Sequence, residues 1–399
     1  MFFALKGPSF NGNDYAQQAL EKGASCCVVD ESVGFEHEKL FFVDDALAAL
    51  QQLAKHHRQQ FNIPFLAITG SNGKTTTKEL VHAVLSQKFI TYTTTGNLNN
   101  HIGVPLTILK IKKDAELAVI EMGANHQKEI ASYCDYTMPT HGLITNCGKA
   151  HLEGFGGEAG IRKGKGELFG YLIENNGTAF VFADHDYFFE MVSGVNEVIT
   201  YGTLNSASTN GVVHNDSLLL EVKLNHNGKD ELIQTHLVGG YNLPNVLAAV
   251  CIGRYFGVDE SAIKSAIQSY IPSNSRSQLL KKNGNTFILD AYNANPSSMK
   301  LAIENFAAMP GQNKVLMIGA MMELGEVSDL EHRAILDLIA LYPWAAVVLV
   351  GKPYENLHGS YHYFDNSIEA AAWFKNQNFT DHQFLVKGSR SMKMEKVIE

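Results

Sequence analysis

The sequence predicts an α/β protein of three domains: a small N-terminal α/β unit, a central phosphate-loop ATPase-type unit with a mostly parallel sheet, and a C-terminal Rossmann-like unit. Three observations carry that expectation. Short apolar runs alternate with stretches of helical period, the pattern of a parallel sheet covered by helices. One run, Phe65-Leu66-Ala67-Ile68-Thr69, ends in a glycine-bounded turn and then a helix start. The 399 residues suit two or three domains under a prior of about 150 residues each.

The first unit, residues 1–60, is expected to hold strands at Phe2-Phe3-Ala4-Leu5, Cys26-Cys27-Val28-Val29 and Phe41-Phe42-Val43, with a helix over 15–22. Asp44-Asp45 is a capping signal for a second helix running towards Arg58. No catalytic constellation occurs here, which favours a substrate-binding or structural role. Asn62-Ile63-Pro64 then leads into the central unit, residues 61–272.

There Gly70-Ser71-Asn72-Gly73-Lys74-Thr75-Thr76 follows the buried strand. Glycines allow a tight turn and close approach of phosphate oxygens, and backbone N–H groups at the helix start favour an anion. In such a loop Lys74 reaches the β- and γ-phosphates and Thr75 offers its hydroxyl to Mg²⁺. The eight-residue form of the motif is not met, because Ile68 stands at its first glycine. Leu117-Ala118-Val119-Ile120 and Gly142-Leu143-Ile144-Thr145 are further strands, delivering Glu121 and Asn146 to the carboxyl edge where open α/β sheets bind ligands. Glu121 is thus a candidate Mg²⁺ ligand. His151 follows, then a helix over 161–172 with Arg162, Lys163 and Lys165; taken alone, a lone histidine and a lysine-bearing helix are more often structural. Residues 211–237 shift to period two, with a strand over 218–224 and Asn227-Gly228 as a hairpin turn. Asn242 and Asn245 open an apolar helix through Phe256, as caps or as amides for an adenine ring.

Pro272-Ser273-Asn274-Ser275 marks the boundary to residues 273–399. Four strand–helix alternations are expected there, with strands at 287–289, 315–318, 346–350 and 383–386. The G-x-G-x-x-G fingerprint is absent.

Hydrophobic content of 45% and 18% charged residues is ordinary for a globular protein. A net charge of −9 gives no basic footprint for nucleic acid or anionic lipid. Five cysteines without C-x-x-C spacing argue for reduced thiols in the cytoplasm. No apolar run reaches the roughly 18 residues of a membrane span, and no signal peptide is evident.

Across essentially its whole length the sequence resembles the Mur ligase family, and within it the members that add D-alanyl-D-alanine. The resemblance rests on Thr69-Gly70-Ser71-Asn72-Gly73-Lys74-Thr75-Thr76, Gly96-Asn97-Leu98-Asn99-Asn100-His101, Glu121-Met122-Gly123-Ala124-Asn125-His126 and His151-Leu152-Glu153-Gly154-Phe155-Gly156. Lys165-Gly166-Glu167-Leu168-Phe169, Tyr292-Asn293-Ala294-Asn295-Pro296 and Met322-Glu323-Leu324-Gly325 complete it. The phosphate loop alone is shared with folylpolyglutamate synthases.

The resemblance implies ATP and Mg²⁺ as cofactors, and UDP-MurNAc-tripeptide and D-Ala-D-Ala as substrates joined through an acyl phosphate, with the enzyme a monomer. It implies Lys74 on the phosphates, Thr75 and Glu121 on a first Mg²⁺, His151 on a second, and Lys165 as a carbamate on that second ion. A slip of two positions would put Lys163 there instead. It also places Asn245 at adenine, Arg276 and Asp290 at phosphate and ribose, and Tyr292, Asn293 and Asn295 where the C-terminal domain meets the ligands. The chain begins inside the Phe-Phe-Ala-Leu-Lys-Gly motif that relatives precede with a further strand, so an incomplete UDP-sugar domain is expected. Ala320 replaces a common aspartate of the family and is read as tolerated variation.

Overall fold

The computed structural model describes residues 1–226, 229–273 and 275–399. Near the N-terminus, Phe2–Phe3, Cys27–Val29 and Leu40–Phe42 form a three-stranded parallel sheet. The helix Ala46–Arg58 starts where expected, because Asp45 accepts from the Leu47 and Ala48 amides. Its last residue ties this unit to the next. Arg58 lies 3.7 Å from the Phe65 ring centroid and donates to the carbonyls of Thr137 (2.9 Å), Phe61 (2.8 Å) and Met138 (3.0 Å). Burial lowers its guanidinium pKa to about 10.

The central sheet has nine strands, in the order Lys229–Gln234, Glu221–His226, Thr209–Asn215, Glu197–Gly202, Thr178–Phe182, His141–Ile144, Phe65–Thr69, Leu117–Glu121, Thr91–Thr93. All neighbours are parallel except at the end formed by Thr209–Asn215, Glu221–His226 and Lys229–Gln234, which is antiparallel. Phe65–Thr69 is wholly buried, with Leu117–Glu121 on one side and His141–Ile144 on the other. The carboxyl ends of these three strands therefore open together at the point where the strand order reverses, the usual ligand crevice of open α/β sheets.

The expected helix over 161–172 spans Glu158–Glu174. The strand expected over 218–224 begins only at Glu221, because Leu218 and Leu219 leave the sheet to pack against the C-terminal core. The Asn227-Gly228 turn lies outside the described residues, as does Asn274 of the boundary segment.

The C-terminal sheet has six strands, in the order Gln278–Lys282, Asn285–Asp290, Gln383–Lys387, Lys314–Gly319, Ala346–Val350, His362–Phe364. Four contain the expected runs. The two additional ones are edge strands, and Gln278–Lys282 is antiparallel to its neighbour. Among the described residues no helix is long and apolar enough to cross a membrane.

Removing Arg58 leaves three carbonyls unpaired at the seam between the first two units. Arg58→Met is expected to cost about 2–4 kcal/mol of stability. A urea titration checks this, and an unchanged midpoint would contradict it.

Candidate active site

The phosphate loop is shaped by two glycines with positive φ, Gly70 at 137° and Gly73 at 80°. A Cβ on Gly70 would lie 2.0 Å from Thr145 Oγ1, and one on Gly73 would lie 2.6 Å from Asn245 Oδ1. No side chain fits at either place. Behind the loop, Ser71 N donates to Asn146 O (2.8 Å) and Asn72 N to Asn146 Oδ1 (3.1 Å). Ser71 Oγ donates to Gly148 O at 2.7 Å. Lys74, Thr75 and Thr76 form the first turn of the helix Lys74–Leu85, whose amides face outward at the N-terminus.

Lys74 Nζ curls back onto Gly70 O (2.7 Å) and Ser71 O (3.2 Å). Burial lowers its pKa to about 8; Glu121 opposes that shift and Arg276 adds to it. Thr75 Oγ1 donates to Glu121 Oε1 at 3.0 Å, and Asn99 Nδ2 donates to the same oxygen at 2.7 Å. Glu121 is 1% exposed, and its Oε2 is buried with no hydrogen-bond partner among the described residues. An orphaned carboxylate oxygen beside a threonine hydroxyl and a phosphate cradle suits a hard cation with oxygen ligands. No cluster of three or more His, Cys, Asp or Glu among the described residues could hold a metal by itself. Such a cation therefore needs ligand oxygens in addition to this carboxylate.

Of the two neighbouring lysines, Lys163 is exposed and Lys165 is 1% exposed. Lys165 Nζ lies 4.7 Å from the Phe155 ring centroid and donates to Ala124 O at 2.9 Å. Burial, with the Lys74 charge second, pushes its amine down to about 7. A large share of this amine is therefore neutral near pH 7. His151 adopts φ 54° at the start of the short helix Leu152–Phe155, and its Nδ1 faces the Glu323 carboxylate of the C-terminal unit. That contact holds the Glu323 carboxyl below its usual range.

The remaining expected residues lie around this centre. Asn245 is packed under Gly73, and both ends of its amide are engaged, Oδ1 by Thr77 Oγ1 (2.9 Å) and Nδ2 by Asn242 Oδ1 (2.8 Å). Arg276 lies 3.5 Å over the Tyr292 ring. Asp290 accepts from Ser277 N (3.2 Å) and from buried Lys387 Nζ (2.5 Å), which also reaches Asn293 O at 3.3 Å. Asn295 touches the phosphate loop directly, donating to Asn72 Oδ1 at 2.7 Å.

Two groups in this centre had no role on sequence grounds. Asn99 stands in an asparagine-rich string, which was the available signal. Glu323 stands in the Met322-Glu323-Leu324-Gly325 string, but nothing local points to its partner, which is 172 residues away (323 − 151) and in another unit.

The Mur ligase middle domain matches residues 68–253, and the Mur ligase, glutamate ligase domain matches residues 275–390. The UDP-N-acetylmuramoyl-tripeptide–D-alanyl-D-alanine ligase of Escherichia coli K12 is 36% identical, covering 100% of this chain and 90% of its own length. The enzyme of that name from Bacillus subtilis 168 is 33% identical, covering 100% and 89%. Among solved structures, a MurF from Acinetobacter baumannii superposes with TM-score 0.89 at 30% identity, covering 99% of this chain and 88% of that one. A MurF ligase from Thermotoga maritima in complex with ADP superposes with TM-score 0.87 at 26% identity, covering 99% and 92%.

The Lys165 environment has a consequence for stability. Its pKa is about 7 when folded and 10.5 ordinarily. Between those values the unfolded chain binds more protons, so stability rises with pH across that window; below it both states are charged and the penalty is constant. Lys74 acts in the same direction. In carbonate-free buffer, denaturant titrations from pH 7 to 9 are expected to show a smaller rise for Lys165→Met than for the unaltered protein. Equal slopes would contradict the neutral-amine assignment.

Proposed function

The chain belongs to the Mur ligase family, and we infer that it ligates D-alanyl-D-alanine to UDP-N-acetylmuramoyl-tripeptide at the expense of ATP. The product is UDP-N-acetylmuramoyl-pentapeptide, a peptidoglycan precursor. The observation that carries the chemistry is the Thr75–Glu121 pair at the phosphate loop, with its orphaned buried carboxylate oxygen. We place the enzyme in the cytoplasm as a monomer, in keeping with its five free thiols.

The reaction brings together two anions, the γ-phosphoryl group and the tripeptide carboxylate, so positioning and charge neutralisation are the main demands. The carboxylate oxygen attacks the γ-phosphorus, the bond to ADP breaks, and an acyl phosphate results. The dipeptide amine then attacks the acyl carbon; the amide forms, and a proton and inorganic phosphate leave. Amides of Gly73 to Thr76 cradle the phosphates, and Lys74 exchanges the Gly70 and Ser71 carbonyls for phosphoryl oxygens. Thr75 and Glu121 are the residues suited to hold Mg²⁺, with Asn99 keeping the Glu121 carboxylate oriented. Bound there, Mg²⁺ supplies charge neutralisation on the phosphoryl oxygens.

His151 and Lys165 are proposed for a second ion. As an amine Lys165 offers no anionic oxygen, but a neutral buried amine is the form that adds CO₂ to give a carbamate. His151 is kept in place by Glu323 from across the domain boundary. Arg276 and Asp290 are proposed to face the nucleotide from the C-terminal side, at phosphate and ribose, with Tyr292 and Asn293 beside them. Asn245 is assigned to the adenine side, where contact with the ring requires its amide to release Thr77 or Asn242.

Phosphate release from ATP and Mg²⁺ is expected only when both UDP-MurNAc-tripeptide and D-Ala-D-Ala are supplied. Release indifferent to the dipeptide would overturn the assignment. Lys165→Ala is expected to lower kcat by at least about 100-fold, with partial recovery on adding short-chain carboxylic acids. The absence of any recovery would count against the carbamate.

A further inference from the structure

We propose that Asn295 is a positioning residue, which latches the C-terminal domain to the phosphate loop through Asn72 and sets that loop for phosphoryl transfer. The proposal rests on the ligase reading above and assigns one contact within it. Asn295 sits at the N-cap of the helix Pro296–Ala308 and is buried, at 7% exposure. Its Oδ1 accepts from Ser298 N at 3.0 Å, and its own N–H donates to Ser298 Oγ at 3.1 Å, a reciprocal capping box. The cap fixes the orientation of the amide. With Oδ1 committed to Ser298, the other end must be the NH₂ group, and it is aimed at Asn72 Oδ1, 2.7 Å away.

Asn72 is equally constrained from its own side. Its N–H is taken by Asn146 Oδ1 (3.1 Å), while its carbonyl accepts from Thr145 Oγ1 (2.6 Å) and Asn146 Nδ2 (3.0 Å). The Asn72 backbone is thus pinned to the central sheet, which leaves its side chain as the group that reaches out of the loop. The two asparagines are 223 residues apart in sequence and belong to different domains. Around them, Ser297 Oγ accepts from Lys149 N at 2.9 Å, and Lys149 Nζ meets Glu331 Oε1 at 2.8 Å. The first turn of the C-terminal helix is therefore seated on the loop Asn146 to Lys149, the same segment that backs the phosphate cradle. Loss of the Asn295–Asn72 bond would leave each domain intact and remove the side-chain tie between the loop and the C-terminal domain.

The test separates the latch from the cap. Asn295→Ser keeps a capping hydroxyl but is too short to reach Asn72. Asn72→Ala removes the acceptor, and it carries the test alone should the first variant fail to fold. Expected for each is a kcat lower by about 10-fold or more, with the KM for ATP within about 3-fold of the unaltered enzyme. The double variant should be no slower than the slower single, because both changes remove one bond. Hydrogen exchange at residues 70–76 should rise in both singles without loss of Tm. Unchanged kcat with unchanged exchange, or losses that multiply in the double variant, would overturn the latch. If the unaltered protein itself shows no dipeptide-dependent phosphate release, the ligase reading has failed, and exchange at residues 70–76 still decides whether the latch exists.

Discussion

The close approach between the phosphate loop and the strand end at Thr145–Asn146 is the constraint on which the rest of the site depends. A Cβ at Gly70 would sit 2.0 Å from Thr145 Oγ1, so the loop can rest on that strand only because position 70 has no side chain. Once seated, its backbone is held by Asn146 through both main chain and side chain. Pinned in this way, the loop presents the first-turn amides of Lys74–Leu85 in a fixed direction, and little reorganisation is needed when an anion arrives. The backing segment then continues through Gly148 and Lys149 to the C-terminal domain. One strand end thus shapes the cradle and receives the domain that covers it.

Electrostatics follow from the same burial. A half-buried lysine, a buried lysine and a buried carboxylate share one crevice, and each settles on what the protein can offer. Lys74 rests on carbonyls, Lys165 on Ala124 O, and Glu121 takes two donors on one oxygen and, among the described residues, none on the other. Burial is the main reason both amines lie below the usual lysine range, with the Lys74 charge adding to the shift of Lys165 and Arg276 to that of Lys74. An arrangement of this kind is poor as stability and good as a receptor. Polyphosphate and a divalent cation, the ligands proposed for this crevice, would together supply the missing partners of both signs, in a medium where charge interactions are strong.

Much of this was legible locally. The buried strand, the glycines, Lys74 and Thr75 lie in one stretch, so their meaning needs no knowledge of the fold. Glu121 could be placed because a strand must deliver its last residue to the sheet edge. The edge strands Gln278–Lys282 and His362–Phe364 were not legible, since an edge strand satisfies half its backbone with water and tolerates a mixed polar pattern. Leu218 and Leu219 fit a strand by periodicity, but their burial against another domain outweighed it. The partners of His151, Asp290 and Asn72 were invisible for a different reason. Glu323 and Asn295 reach His151 and Asn72 only through the packing of whole domains, and Lys387 meets Asp290 only through the pairing of two strands distant in sequence.

The two attachments of the C-terminal domain differ in chemistry, and the difference bears on how the site can work. On one side Leu218, Leu219 and Val238 from the central unit are built into its apolar core, with Tyr241 Oη 3.1 Å from Ser277 Oγ. Parting that side would expose hydrocarbon to water, at roughly 25 cal/mol per Å². On the side of the phosphate loop the contacts are mainly polar: asparagine on asparagine, serine on a backbone amide, lysine on glutamate, histidine on glutamate. Such groups exchange protein partners for water at small net cost, since a typical hydrogen bond contributes only about 0.5–1.5 kcal/mol. The C-terminal domain thus meets the central unit through hydrocarbon along one border and mainly through polar groups along the other, and the polar border is the one beside the phosphate loop. The bonds that cross it fall on Asn72 of that loop and on His151, the residue proposed for a second ion.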